Sequence, residues 1–165
     1  MDDLRSVLPP PARPTFADGD WAAVEAELGL ALPPDYKAFA QTYGAGQIGR
    51  GLIIQTPFFW TAAGRDVRHE WENWASMYHD FAEYGGLVVP YPVFPAPGGL
   101  LPFGSLADVN FLNWLTVGQP DEWPFVYYDR DDGFFEVKGL TAVGFILEAV
   151  TRRSPQLCTS TAPTR

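Results

Sequence analysis

The chain has little of what most active-site chemistry requires. Among 165 residues there is one cysteine, Cys158, and there are two histidines, His69 and His79. A single thiol excludes both an intrachain disulfide framework and a cysteine metal cluster, and Cys158, outside any periodic segment, reads as an exposed and inert group. The two histidines fall on what reads as one helix, almost three turns apart, too far to share a metal ion. HEWEN, around the first of them, lacks the second histidine of a zinc-protease helix. No apolar run approaches the ~18 residues of a membrane span. The opening MDDLRSVLPPPARP carries two acids and no continuous apolar stretch, so no secretory signal is read and a cytoplasmic location is expected.

Positive charge is also scarce. Lys and Arg number 11 against 20 Asp and Glu, a formal charge of −9 with a pI near 4.5. Such a surface repels nucleic acid and anionic membranes, and neither is expected as a partner. From Asp18 to Val150 the imbalance sharpens to 18 acids against 6 Lys or Arg, a charge of −12, while the flanking ends hold five arginines. Two readings fit: a solvated exterior with no partner, or a surface that steers a basic macromolecule.

Apolar residues, by contrast, are plentiful, at 47% hydrophobic and 15% aromatic. That suits a single domain able to bury roughly 70% of the surface its unfolded chain exposes. Residues 1–17 read as a flexible, proline-rich arm, 18–153 as the domain, and 154–165 as a flexible Ser/Thr/Pro tail. WAAVEAELGLALPPDYKAFAQTYGAG, from Trp21 to Gly46, reads as two short helices about a Leu-Pro-Pro hinge. Trp21, Val24 and Leu28 share a face of the first, with Asp18 or Asp20 as N-cap and Gly29 as its stop. Tyr36, Phe39, Ala40 and Tyr43 stripe the second, with Pro34 in its first turn, Asp35 against the positive end of its dipole and Gly44 as a left-handed cap.

Leu52 to Thr56 reads as a strand, and FFW leads into a helix from about Arg65 that aligns Val67, Trp71, Trp74, Tyr78 and Phe81. This aromatic stripe fits a core face better than a binding surface. LVVPYPVFPAPGG has too many prolines for a central strand and is expected to cross the surface in extended form, as a spacer rather than a polyproline ligand. Strands are expected at Leu100–Phe103, Val109–Leu115 (apolar on both faces), Trp123–Asp129 and Phe134–Lys138, with DRDDG as a turn and a last helix capped by Thr141. The order predicts an α+β single domain: a mixed or antiparallel sheet with an N-terminal helical hairpin, a middle amphipathic helix and a C-terminal helix packed on it.

Three motifs invite misreading. GAGQIG, Gly44 to Gly49, has the spacing of a dinucleotide fingerprint, yet a helix precedes it and a strand follows, the reverse of what a pyrophosphate site requires; it is expected as a helix cap and flexible loop. DRDDG begins like a calcium loop but offers Leu140 where a bidentate Glu belongs. Ser105, in FGSLA, lacks the nucleophile elbow. Twenty acids allow carboxylate pairs but single out none. No catalytic residue, cofactor or metal ligand is assigned.

The helical hairpin, with Glu25, Leu28, Gly29 and then LPPDYKAF…YGAG, resembles the signature of the SUKH superfamily of yeast cell-wall regulators and bacterial immunity proteins. GGLLPFGSLADVNFLNWLTVGQPDEWPFVYYDR resembles the latter half of its bacterial members, and the two segments occur in the expected order. One departure marks the turn after the Leu-Pro-aromatic-Gly strand, where Ala107 precedes Asp108 and the family pattern usually has Gly. The resemblance implies a non-enzymatic immunity protein that binds and neutralises a toxin, with a basic nuclease domain as the expected partner. The partner-binding candidates are Glu70, Glu72, Asp121, Glu122, Asp131 and Asp132, with Trp123 and Tyr128 as aromatic neighbours, and a monomer is expected. The chief alternative is a cytosolic regulatory or scaffolding domain that binds an endogenous partner; a small hydrolase is the third reading.

Overall fold

The computed structural model describes residues 1–49, 51–107, 109–137 and 139–151. The expected tail, 154–165, and Cys158 with it lie outside the described residues. Six strands form one antiparallel sheet in sequence order, β1 (Gly46–Ile48), β2 (Leu52–Ile54), β3 (Leu100–Leu106), β4 (Asn110–Leu115), β5 (Phe125–Asp129) and β6 (Gly133–Val137). The helices are α1 (Asp2–Val7), α2 (Trp21–Leu28), α3 (Pro34–Tyr43), α4 (Pro57–Ala62), α5 (Val67–Gly85) and α6 (Ala142–Thr151). The chain is thus a single α+β domain, and its sheet is wholly antiparallel.

Both faces of the sheet are covered, which is why β4 and β5 are apolar throughout. The cross-strand rows Trp114–Phe125–Val137 and Leu112–Tyr127–Phe135 lie on one face. There Tyr36 of α3 meets Trp114 edge-on at 4.8 Å and Phe145 of α6 meets Phe125 at 4.6 Å. The rows Asn113–Val126–Glu136 and Phe111–Tyr128–Phe134 lie on the other face. On that side Tyr78 of α5 sits 5.6 Å from Tyr128 and 5.4 Å from Phe134. A register shift between Pro102 and Gly104 bulges β3, and Phe103 there stacks on Trp114 at 4.2 Å. Gly104 follows because a Cβ at that position would come within 2.6 Å of the Ile53 carbonyl. The Trp71 indole donates to the Pro102 carbonyl at 2.7 Å and ties α5 to this part of the sheet.

The caps form largely as the residue types dictate. Asp20 accepts from the Ala23 N–H, Asp66 from the His69 N–H and Thr141 from the Gly144 N–H. Gly29 and Gly86 close α2 and α5 in the left-handed conformation. Gly44 differs: at φ 72 and ψ −166 it turns the chain out of α3 in a conformation close to glycine-only. A Cβ there would fall 2.0 Å from the Thr15 carbonyl oxygen.

Five local expectations change. In place of extended chain at the start, Asp2–Val7 form α1, whose Leu4 is buried and which packs on α6. Six residues hold a helix only by docking, and no local signal reports that. GAGQIG is not a flexible loop, since Gly46–Ile48 pair with β2 as a hairpin. FFW belongs to a separate helix, α4, that sets Trp60 5.0 Å from Trp71 and Phe58 4.6 Å from Trp21. The proline-rich stretch is folded into turns, with Ala96 bonded back to Val93 and Gly99 to Ala96, a cis bond at Phe94–Pro95, and Val93 and Phe94 buried. β5 begins at Phe125 because a 3-10 turn at Pro120–Glu122 precedes it.

Candidate protein-binding surface

The charged residues divide into those that hold the fold and those left over. The Glu25 carboxylate accepts from the Leu32 N–H at 2.8 Å and from the Lys37 ammonium at 2.6 Å, clasping α2 to α3 across the Leu-Pro-Pro hinge. Partial burial acts to raise the Glu25 pKa, but the Leu32 N–H and the Lys37 charge outweigh it and hold the carboxyl below its ordinary value. Glu27 accepts the Val67 N–H at 2.6 Å, while Arg68 donates to the Leu28 carbonyl at 3.0 Å. Each helix thus supplies the end group that the other lacks. These acids hold the fold together.

The candidate acids do not converge on one patch. Glu70, in the first turn of α5, is paired at 2.9 Å with Arg65, which precedes the helix, and Glu72 with Arg68 at 2.7 Å within it. Arg68 lines a cavity of about 490 Å³ whose wall also includes Gly29, Phe94, Gly118, Pro120 and Trp123. Pro120 belongs to the turn that carries Asp121 and Glu122, both exposed. Trp123 is buried, its indole 3.4 Å from the Gly118 carbonyl and its ring 6.1 Å from Trp114. Asp131 and Asp132 lie in the β5–β6 turn, whereas Asp121 and Glu122 precede the other end of β5, a strand about 13 Å long. Asp129 shapes that turn, for its Oδ1 accepts the N–H groups of Asp131 and Asp132. The carboxylates of Asp131 and Asp132 are left exposed.

Tyr128 is buried at 5% exposure, within an aromatic group formed by Tyr78, Phe81, Phe111 and Phe134. Burial pushes its phenol up; the Arg130 charge opposes that rise, and Asp129 and Asp131 add to it. The same causes are stronger at Tyr127, where burial and then the neighbouring Asp129 push the phenol up to about 12. Beside Tyr128 opens a groove of about 690 Å³, bounded by Phe81 and Gly85–Val88 from the end of α5, Val109 and Phe111 from β4 and its lead-in, and Arg130. Val88 is 81% exposed and Tyr84, nearby on α5, 80%. Of the sequence-predicted candidates Tyr128 lines this groove, with Asp131 and Asp132 in the adjoining turn, and the groove itself was not read from the sequence. The available signal was the Gly-Gly pair after Tyr84, which ends α5 and leaves Leu87 and Val88 with no further helix to join.

Glu25, half-buried, and Glu27, exposed, are both engaged in the clasps. Among the described residues no group of three or more His, Cys, Asp or Glu is placed to hold a metal ion, and no helix is long and apolar enough to cross a membrane. Both described histidines are exposed on α5.

No curated protein and no solved structure gives a significant match to the chain. The family model SUKH_6, described as SMI1-KNR4 cell-wall, matches residues 18–139. This span runs from the residues just before α2 to the end of β6 and contains both of the segments that resemble the superfamily. The chain belongs to the SUKH_6 (SMI1-KNR4 cell-wall) family.

Proposed function

We propose that the chain is a non-enzymatic immunity protein that binds a cognate toxin, a basic nuclease domain encoded beside it, and blocks that domain's active site or nucleic-acid groove. The observation that carries this reading is family membership combined with a charge of −12 over Asp18–Val150. Exposed carboxylates stand in for phosphates in front of a surface built to hold nucleic acid, and long-range attraction accelerates encounter. Buried aromatic anchors then hold the complex. The employment of Glu25 and Glu27 in the fold supports a binding role over a hydrolytic one.

The test is co-expression with the product of the adjacent toxin gene, scored by growth. Rescue by the wild-type chain, with a stable complex recovered from the same cells, is the expected result. Growth arrest despite soluble, folded protein contradicts immunity. The family's description by cell-wall proteins favours, as a second reading, a regulatory scaffold for an endogenous partner. An isolated gene, or one beside cell-wall genes, together with failure of rescue, selects it.

A further inference from the structure

We infer that the groove between the end of α5 and the turn-side end of β4 and β5 is the docking face, and that its occupant is a partner segment presenting an apolar side chain next to a Lys or Arg. This rests on the protein-binding reading above. The floor is aromatic: Tyr128 stacks with Phe111 at 17° and with Phe81 at 26° between ring planes. Val88 stands in water at the wall, a cost in apolar exposure that a covering side chain removes.

Charge selects the occupant. The adjoining β5–β6 turn holds Asp129, Asp131 and Asp132 against one cation, Arg130. Among the described residues Asp131 and Asp132 enter no ion pair, whereas Glu25, Glu70 and Glu72 each have one. An incoming cation meets the two exposed carboxylates of the turn that adjoins the groove, while Arg130 on the groove wall opposes it, and an ion pair with that turn favours a basic segment over an acidic one. An acidic segment meets repulsion. A second copy of the chain would bring a further charge of −9 to the same rim, which disfavours self-association through it.

The experiment uses the full chain, labelled with ¹⁵N and titrated with a synthetic peptide of alternating Lys and Leu, then with its Glu/Leu analogue. The basic peptide is expected to shift the amides of Val88, Val109, Tyr128 and Asp131, and the acidic one to leave them in place. Joint Asp131→Lys and Asp132→Lys should weaken the basic peptide at least tenfold, while Arg130→Ala should strengthen it severalfold. Equal shifts around Asp121 and Glu122, equal response to the acidic analogue, concentration-dependent shifts without peptide, or no shift at millimolar peptide each overturn the assignment. A Val88→Glu chain that retains both its amide spectrum and full toxin neutralisation overturns the groove but leaves immunity standing. Groove binding without growth rescue does the reverse.

Discussion

Asn113, fully buried on β4, accepts the Tyr78 hydroxyl on its Oδ1 at 3.0 Å and donates to the carbonyls of Phe111 and Val126, each at 3.2 Å. A polar side chain in that position is tolerated because its partners are present, and it fixes the rotation of α5 over the sheet through Tyr78. Burial is the main cause that lifts the Tyr78 phenol far above its ordinary value, with the Asn113 bond pulling the other way and the neighbouring Tyr128 adding to the rise. Tyr78→Phe leaves the buried Oδ1 short of a donor and is expected to cost about 1–3 kcal/mol in urea unfolding. Asn113→Leu combined with Tyr78→Phe should recover part of that loss, since the orphaned side-chain oxygen is then absent, although the Phe111 and Val126 carbonyls lose the Asn113 donor. Ala107 is the opposite kind of residue. At φ 55 it occupies the left-handed region, where its Cβ clashes with the following carbonyl. That geometry favours glycine at the turn between β3 and β4. Ala107→Gly is expected to raise stability by about 0.5–1 kcal/mol, seen as a higher denaturation midpoint, because relief of strain exceeds the entropy that glycine adds to the unfolded chain.

At the scale of elements, the α2–α3 hairpin is held by a carboxylate whose pKa is depressed by folding, and this gives a signed pH prediction. Glu25 lies below its reference value of 4.5 in the folded chain, so its contribution is complete above the unfolded value and disappears as pH falls through the lower, folded one. Glu25→Gln should therefore be less stable than wild type at pH 7, with the gap closing below about pH 4 in parallel urea titrations. A gap independent of pH would assign the loss to packing.

The same hairpin shows why some elements were legible in the sequence. Tyr36, Phe39, Ala40 and Tyr43 repeat at helical spacing, and all four are buried. Val67, Trp71 and Tyr78 likewise define the buried side of α5, with Trp74 and Phe81 at its edges. Periodicity reports a face wherever an element is long enough to repeat it. It is silent for three-residue β1, for six-residue α1 and α4, and for the 92–99 turns, which form because distant parts of the chain cover them: Thr15 bridges Gly44, Trp21 covers Phe58, and Val93 bridges Leu100. Sites suffer from this more than folds do. Sequence composition identifies acids but not which are spent, and only the three-dimensional arrangement separates Glu72, neutralised by Arg68, from Asp131 and Asp132.

Taken as one molecule, the chain is an aromatic-filled sheet between two helical layers with an exterior dominated by carboxylates. The interior needs no unusual chemistry to be stable, so the surface is free to specialise. The proposed electrostatic capture of a basic protein is read most directly from encounter kinetics. Stopped-flow association of the full chain with the adjacent gene's toxin domain, run from about 20 to 500 mM salt, should show the association rate constant fall at least tenfold, from near 10⁸ M⁻¹s⁻¹ at the low end. A rate constant of about 10⁵–10⁶ M⁻¹s⁻¹ that does not change with salt would contradict electrostatic capture.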